Sequence, residues 1–281
     1  MVETKDADVI KFPHRGTGGF VYSLHLADNA LILGQRNSEW CAHGPVLEQD
    51  IAITNISLDL LGQARNFFQY AATLYNNFTD EEKDSVDYLL PRQWKTYNRQ
   101  LEEDDLAFLR EERQYLNLLI TELPNGDWGQ TVLRQFFFSA WQQLLYRHLK
   151  QIDDQQLSAI AEKSLKEVNY HLRWSSEWVV RLGDGTAESQ ARMKNALNEL
   201  WRFTGEMFIS SPYEIVDVHV LKNDWEEKLK TIFEEAVLIF PSTERGTSYQ
   251  TGGKEGKHTE HLGYILTEMQ YLQRVYPNAK W

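Results

Sequence analysis

Few residues of this 281-residue chain have both the type and the spacing of a reactive centre, and the clearest group surrounds His171. Residues three apart on a helix share a face, so a Glu-x-x-His pair brings a carboxylate and an imidazole to one metal. Two such pairs, with a carboxylate from each of two further helices, hold two iron or manganese ions. Residues 168–171 read Val-Asn-Tyr-His, so the imidazole is present but Val168 stands where the carboxylate belongs. Glu167 is next door but is rotated by about 100° around the helix. The other long apolar stretch reads Leu60-Leu61-Gly62-Gln63, with both ligand types replaced. One imidazole and one amide do not neutralise two cations. Read from the residues alone, His171 is a core histidine hydrogen-bonded to a neighbour, and Glu167 with His171 and Asp59 with Gln63 are polar pairs along a helix.

Other candidates carry less. His258 and His261 flank Glu260 at a spacing that suits zinc, but no Cys and no distant third ligand accompanies them. Cys41 beside His43 is a two-residue coincidence near a turn, and no G-x-S-x-G, P-loop or dinucleotide fingerprint occurs. The polar stretch 241–257 contains four glycines together with Lys254 and Lys257, which suits approach to a phosphate as well as it suits an ordinary solvated loop.

Helices must position these groups. From Gly44-Pro45 to Tyr70 the chain reads as one long helix, with Pro45 in its first turn. Its buried stripe is Ile53, Ile56, Leu60, Gln63 and Phe67, and Asp50, Asn55, Asp59 and Asn66 lie beside it. Residues 20–37 form a preceding helix with Leu26, Ala30 and Leu33 inward. Thr79 to Glu82 offers a capping box for a short element. Further helices are expected over residues 104–121, 129–151, 187–208, 223–238 and 259–275, and over a long span ending at Leu182 that Asp153 and Gln156 cap and Gly183 terminates. The 129–151 element has Phe136, Phe137, Phe138, Trp141 and Tyr146 nearly all round, which places it deep or at a partner surface. Residues 209–220 read as irregular. A helix, a turn and a long partner helix occur twice, at 20–78 and 129–182. The expected fold is an all-α bundle of antiparallel neighbours over residues 20–281, one domain behind a loosely held tail at 1–19.

Composition sets outer bounds. With 29 basic and 41 acidic side chains the formal net charge is −12, which argues against duplex nucleic acid or an anionic membrane as the main partner. A single cysteine excludes an internal disulfide and fits a reducing compartment. No run of roughly 18 apolar residues and no leader pattern is visible, so a cytoplasmic location is expected.

The segments EWCAHGP, NISLDLLGQARNF, KEVNYHLRWSSEW, LWRFTGEMF and TGGKEGKHTEHLGYILTEMQYLQR resemble the C-subunit family of the bacterial phenylacetyl-CoA epoxidase, a multicomponent ring monooxygenase, with the similarity running from about Tyr22 to Trp281. The resemblance implies a ferritin-like bundle of long antiparallel helices with additional C-terminal helices. It implies a related A subunit that carries a di-iron site and binds the CoA thioester, and a reductase that supplies electrons from NADPH. The C subunit resembles a duplicated A subunit that has lost its metal. Carried over by resemblance, the degenerate ligand positions are Ala30, Leu60, Gln63, Ser139, Val168 and His171. The expectation is therefore a structural subunit of the enzyme of aerobic phenylacetate catabolism, inactive on its own. It has no catalytic residue, cofactor or metal of its own, and pairs with the A subunit in a heterodimer that doubles into a heterotetramer. Lys254, Lys257 and His258 mark a loop near the partner or near CoA. The alternative is a di-metal oxygenase active through the displaced ligands Asp28, Asp59, Glu167 and His171.

Overall fold

Two helical hairpins, laid side by side, make the frame. The computed structural model describes residues 16–241, 249–277 and 279, and among these there is no strand. The first hairpin is α1 (Gly18–Ser38) with α2 (Leu47–Asn76). Aromatic contacts of Phe20 with Tyr75 and Phe78 bring the start of α1 to the end of α2, so the two run antiparallel. Every residue of α1 from Phe20 to Gly34 is buried. At Gly34 a β-carbon would lie 3.3 Å from that of Leu60, so the absence of a side chain is what lets the two backbones approach this closely. Ile53, Ile56, Leu60, Gln63 and Phe67 of α2 all face the core, as the spacing predicts. The helix starts at Leu47 rather than Pro45. Most of the expected tail lies outside the described residues, although Thr17 is buried and Gly18 already helical.

Short elements cover one end. The capping box of Thr79 and Glu82 opens α3 (Asp80–Val86), and α4 (Glu103–Phe108) and α5 (Leu119–Glu122) follow. The helix expected over 104–121 is thus broken in two, and the reason lies in competition for backbone donors. The Leu116 N–H donates to Asp28 Oδ2 and the Leu118 N–H to Asn29 Oδ1, each at 2.8 Å, so acceptors on α1 take the amides a continuous helix would use. Arg110 turns inward at the break and donates to the carbonyls of Leu106 and Gln114 as well as to Asp28.

The second hairpin is α6 (Trp128–Leu149) with α7 (Gln155–Gly183). The aromatic α6 lies deep: Phe136, Phe137, Phe138, Trp141 and Tyr146 are all buried. It is covered by α7, by α8 (Ala187–Leu200) and by α9 (Lys222–Glu235). The Trp225 indole N–H of α9 donates to the Phe137 carbonyl at 3.0 Å. The N-cap of α7 is Asp154, one residue after the expected Asp153, because its carboxylate accepts from the Leu157 N–H three residues on. Two expected helices end early. The 187–208 span stops at Leu200 and continues as 3-10 turns to Phe208, and α9 ends before Val237, which takes a positive φ of 53°. The C-terminal helix is split into α10 (Glu260–Met269) and α11 (Tyr271–Val275) at the buried Gln270, whose amide donates to the Arg110 carbonyl and the Tyr115 hydroxyl. No helix among the described residues is long and apolar enough to cross a membrane.

Asp28 and Arg110 are fully buried against each other, and the guanidinium also lies 4.3 Å from the centroid of the Tyr115 ring. Removing one partner strands the other charge in the core. Arg110→Met is expected to lower unfolding stability by about 3–5 kcal/mol, and the double variant with Asp28→Asn to recover much of that loss, as read from urea midpoints.

Candidate functional site

The seam between α2 and α7 holds the polar residues that the sequence singles out. Gln49 accepts from the indoles of Trp174 and Trp178, Asp59 meets His171, Gln63 meets Glu167 and Tyr70 donates to Asp154 at the N-cap of α7, so the two helices run antiparallel from Gln49 to Tyr70. Of the six positions that the resemblance singles out, Ala30, Leu60 and Val168 are buried aliphatic side chains of the core. Ser139 accepts from the Gln135 amide at 2.8 Å, and Gln135 in turn accepts from Asn37 at 2.7 Å. Gln63 is buried and uses both ends of its amide: Nε2 donates to Glu167 Oε2 at 2.9 Å, and Oε1 accepts from Gln142 Nε2 at 3.0 Å. Gln142 also donates to the Tyr146 hydroxyl. His171 Nε2 lies 3.0 Å from Asp59 Oδ2, and since a carboxylate only accepts, that nitrogen carries the proton.

Amides and hydroxyls therefore occupy the centre, and the two carboxylates sit toward its rim, with the Asp59 side chain about one-third exposed. Burial, reinforced by the like charge of Asp59, holds the Glu167 carboxyl above its ordinary range even though Gln63 and His171 oppose it. Among the described residues no group of three or more His, Cys, Asp or Glu side chains is arranged to hold a metal ion. Three aliphatic chains, an amide, a hydroxyl and one imidazole do not fit a di-iron centre, whose ions need several carboxylates. Asp28, a displaced ligand in the alternative reading, is committed to Arg110 on the far side of α1.

A second polar group lies where the C-terminal segment crosses α1 and α5. Lys254 is buried, and its ammonium donates to Glu214 at 2.8 Å and to the Ile209 carbonyl at 2.7 Å. The Gly252 and Gly253 N–H groups donate to one oxygen of Glu206 at 2.7 Å each, and the Leu119 N–H donates to the other. Gly252 takes a φ of 135°, and a β-carbon at Gly253 would collide with the Asn117 carbonyl, so the glycines serve a cradle for the chain's own carboxylate. His258 places Nδ1 2.8 Å from Glu122 and Nε2 2.9 Å from the Tyr115 carbonyl. Both acceptors lack protons, so both ring nitrogens donate and the ring is an imidazolium. Of the three loop cations only Lys257 faces solvent, where it pairs with Glu255. The part of the loop over 242–248 lies outside the described residues. His261 lines a separate open cleft of about 730 Å³ with Arg202 and Gln130, and Cys41 is exposed.

Residues 13–281 match the family described as phenylacetic acid catabolic protein. The chain belongs to that family. It is 46% identical over 268 residues to the C subunit of the 1,2-phenylacetyl-CoA epoxidase of Escherichia coli (strain K12), covering 92% of this chain and 98% of the relative. For a phenylacetic acid catabolic protein of this sequence the expected all-α, ferritin-like bundle is the fold observed.

The polar pairs expected along each helix, Glu167 with His171 and Asp59 with Gln63, form instead across the seam, Glu167 with Gln63 and Asp59 with His171, and sequence reasoning missed the second group. Glu122, Glu206 and Glu214 come from three separate segments, and the one available signal was an acidic residue inside an aromatic run, Glu206 in WRFTGEMF. Two consequences can be measured. Burial disfavours the charged His258 ring, but the Glu122 carboxylate and the Tyr115 carbonyl outweigh it and raise the pKa above 6.5. A folded-state value above the unfolded one makes this stabilisation complete below about pH 6.5 and lost as pH climbs through the folded value. Urea midpoints should fall on that alkaline side in the wild type, and the fall should vanish in His258→Gln. Separately, Gln63→Leu removes the donor to Glu167 and the acceptor for Gln142, and should lower stability by about 1–3 kcal/mol in thermal or urea melts.

Proposed function

We propose that this chain is a non-catalytic structural subunit of a multicomponent phenylacetyl-CoA 1,2-epoxidase, a cytoplasmic monooxygenase of aerobic phenylacetate catabolism. It pairs with a related A subunit that carries the di-iron site. The observation that carries this reading is the filling of the degenerate centre: Ala30, Leu60 and Val168 close it with hydrocarbon, and Gln63 is held by Glu167 and Gln142. The close relation to the C subunit of an epoxidase supplies the pathway and the kind of complex. Packed aliphatic side chains keep a bundle stiff without a cation, whereas unfilled ligand carboxylates would repel one another and cost stability. On this reading residues 20–281 act as one helical domain that holds the partner's helices in their active packing. The A subunit supplies the oxygen chemistry, the reductase supplies electrons from NADPH, and no proton or electron step runs through this chain. The heterodimer doubles into a heterotetramer.

Metal stoichiometry tests the proposal directly. After anaerobic loading with Fe(II) and removal of loosely held ions, the purified chain should retain close to zero iron while keeping its full helical circular dichroism. It should form no epoxide alone and support epoxidation when combined with an iron-loaded A subunit, reductase and NADPH. About two irons per chain would overturn the reading and direct attention to Asp59, Glu167 and His171 as working ligands.

A further inference from the structure

The turn 252–258 lies backbone on backbone against the chain at 113–117. A β-carbon at Gly256, where φ is 70°, would collide with the Arg113 carbonyl, as one at Gly253 would with that of Asn117, so no side chain stands between the two segments at these points. The turn closes on itself through the Gly252 carbonyl, which accepts from the Glu255 and Lys257 N–H groups at 2.9 Å each. It is fastened on both sides. The Gln250 N–H donates to the Arg202 carbonyl before it, and α10 seats Leu262, Ile265 and Leu266 in the core after it. A displacement of the turn can thus stay confined to the residues between these anchors.

What holds the turn down is polar. Lys254 is buried against Glu214, and Glu206 holds the Gly252 and Gly253 amides. His258 is clamped at both ring nitrogens, by Glu122 of α5 and by the Tyr115 carbonyl, and its side chain and that of Glu122 are fully buried. The Glu122 carboxylate also accepts from the Asn117 amide and the Thr259 N–H, which are neutral donors, while Arg36 of α1 donates to the Glu122 carbonyl. Asp28 of α1 adds a second negative charge at longer range, already answered by Arg110. Within the turn Lys254 is spent on Glu214 and Lys257 on Glu255. The ring is thus the cation for Glu122. Removing one ring proton aims a lone pair at a carboxylate across 2.8 Å or at a carbonyl across 2.9 Å, and leaves Glu122 buried without its cation. Water relieves both faults once the turn lifts.

We propose that His258 is a proton-operated latch: its imidazolium holds the turn 252–258 down on the chain at 113–117, and loss of the ring proton lets the turn lift and brings the buried Lys254 amine to solvent. The bundle stays folded while this happens, because α6 and α7 take no part in the contacts that break. Glu122 and the Tyr115 carbonyl raise the ring above its ordinary value, so the latch is closed in mild acid and opens on the alkaline side. Between about pH 6.5 and the closed-state value the opening constant rises by up to about tenfold per pH unit, and above that value it levels off. The latch is a property of this chain by itself and holds whatever the chain's part in a larger complex.

The test uses the full-length chain and two lysines that report on the same peptide. The Lys254 side chain is 4% exposed and that of Lys257 is 75% exposed, so short pulses of acetic anhydride across pH 6 to 9, read by mass spectrometry, give a Lys254-to-Lys257 labelling ratio from which the common pH dependence of amine reactivity cancels. In the wild type the ratio should be low and flat in mild acid and climb on the alkaline side. In His258→Gln, whose amide does not titrate, it should not change with pH. The wild type also decides without any variant: the His258 ring, followed by NMR, should titrate with the midpoint of the labelling curve. A wild-type ratio flat from pH 6 to 9, a climb that His258→Gln retains, or a ring midpoint apart from the labelling midpoint would overturn the latch. So would a climb accompanied by hydrogen exchange of the α6 amides, which is unfolding of the bundle.

Discussion

A charge in the middle of a fully buried helix has to be answered from within the protein, and Asp28 of α1 imposes that constraint on its surroundings. Its answer is Arg110, delivered by a segment that abandons its helix to reach it. Once that segment is extended, its own amides need acceptors, which Asp28, Asn29 and Glu206 provide. Glu206 in turn gathers the amides of Gly252 and Gly253, and Gln270 closes on the Arg110 carbonyl. The path of the chain over one end of the bundle thus follows from one unmet electrostatic demand after another, and the C-terminal helices are held there by hydrogen bonds and charge as much as by apolar contact.

The two hairpins solve the opposite problem. Between them lie hydrocarbon and amides, and neutral donors meet neutral acceptors between α2 and α6 and along α6. At the seam of α2 and α7 the carboxylates Asp59 and Glu167 lie near the solvent edge, where water and the His171 ring offset their charge. The centre is thus filled by the chain's own side chains, which is what the proposed structural role asks of it.

What could be read from the chain follows from which forces are local. The stripe from Ile53 to Phe67, the capping box at Thr79 and the glycine stop at Gly183 are encoded within a few residues of themselves, and they stand where the periodicity puts them. The break between Phe108 and Leu119 is not encoded nearby. Leucines there keep helical spacing, but acceptors more than eighty residues away in sequence claim the amides. The same holds for Lys254 and His258. Glycines and cations in one loop suit an external anion site as well as an ordinary solvated loop, and nothing local reveals the glutamates at 122, 206 and 214 that take those contacts. Fixed spacing along α2 and α7 picks out Gln63, Glu167 and His171, while their hydrogen-bond partners across the seam were not legible.

The cradle around Glu206 also behaves as an internal competitor. A carboxylate fixed on the same chain faces the Gly252 and Gly253 amides at an effective concentration on the order of millimolar or higher, with no association entropy to overcome. A free phosphate or nucleotide must displace it, and must also leave a buried carboxylate without its donors. The turn is therefore self-saturated and indifferent to the phosphate level around it. Its shape depends on residue 206, and an exchange of that one glutamate leaves the Gly252, Gly253 and Leu119 amides without the acceptor the chain itself supplies.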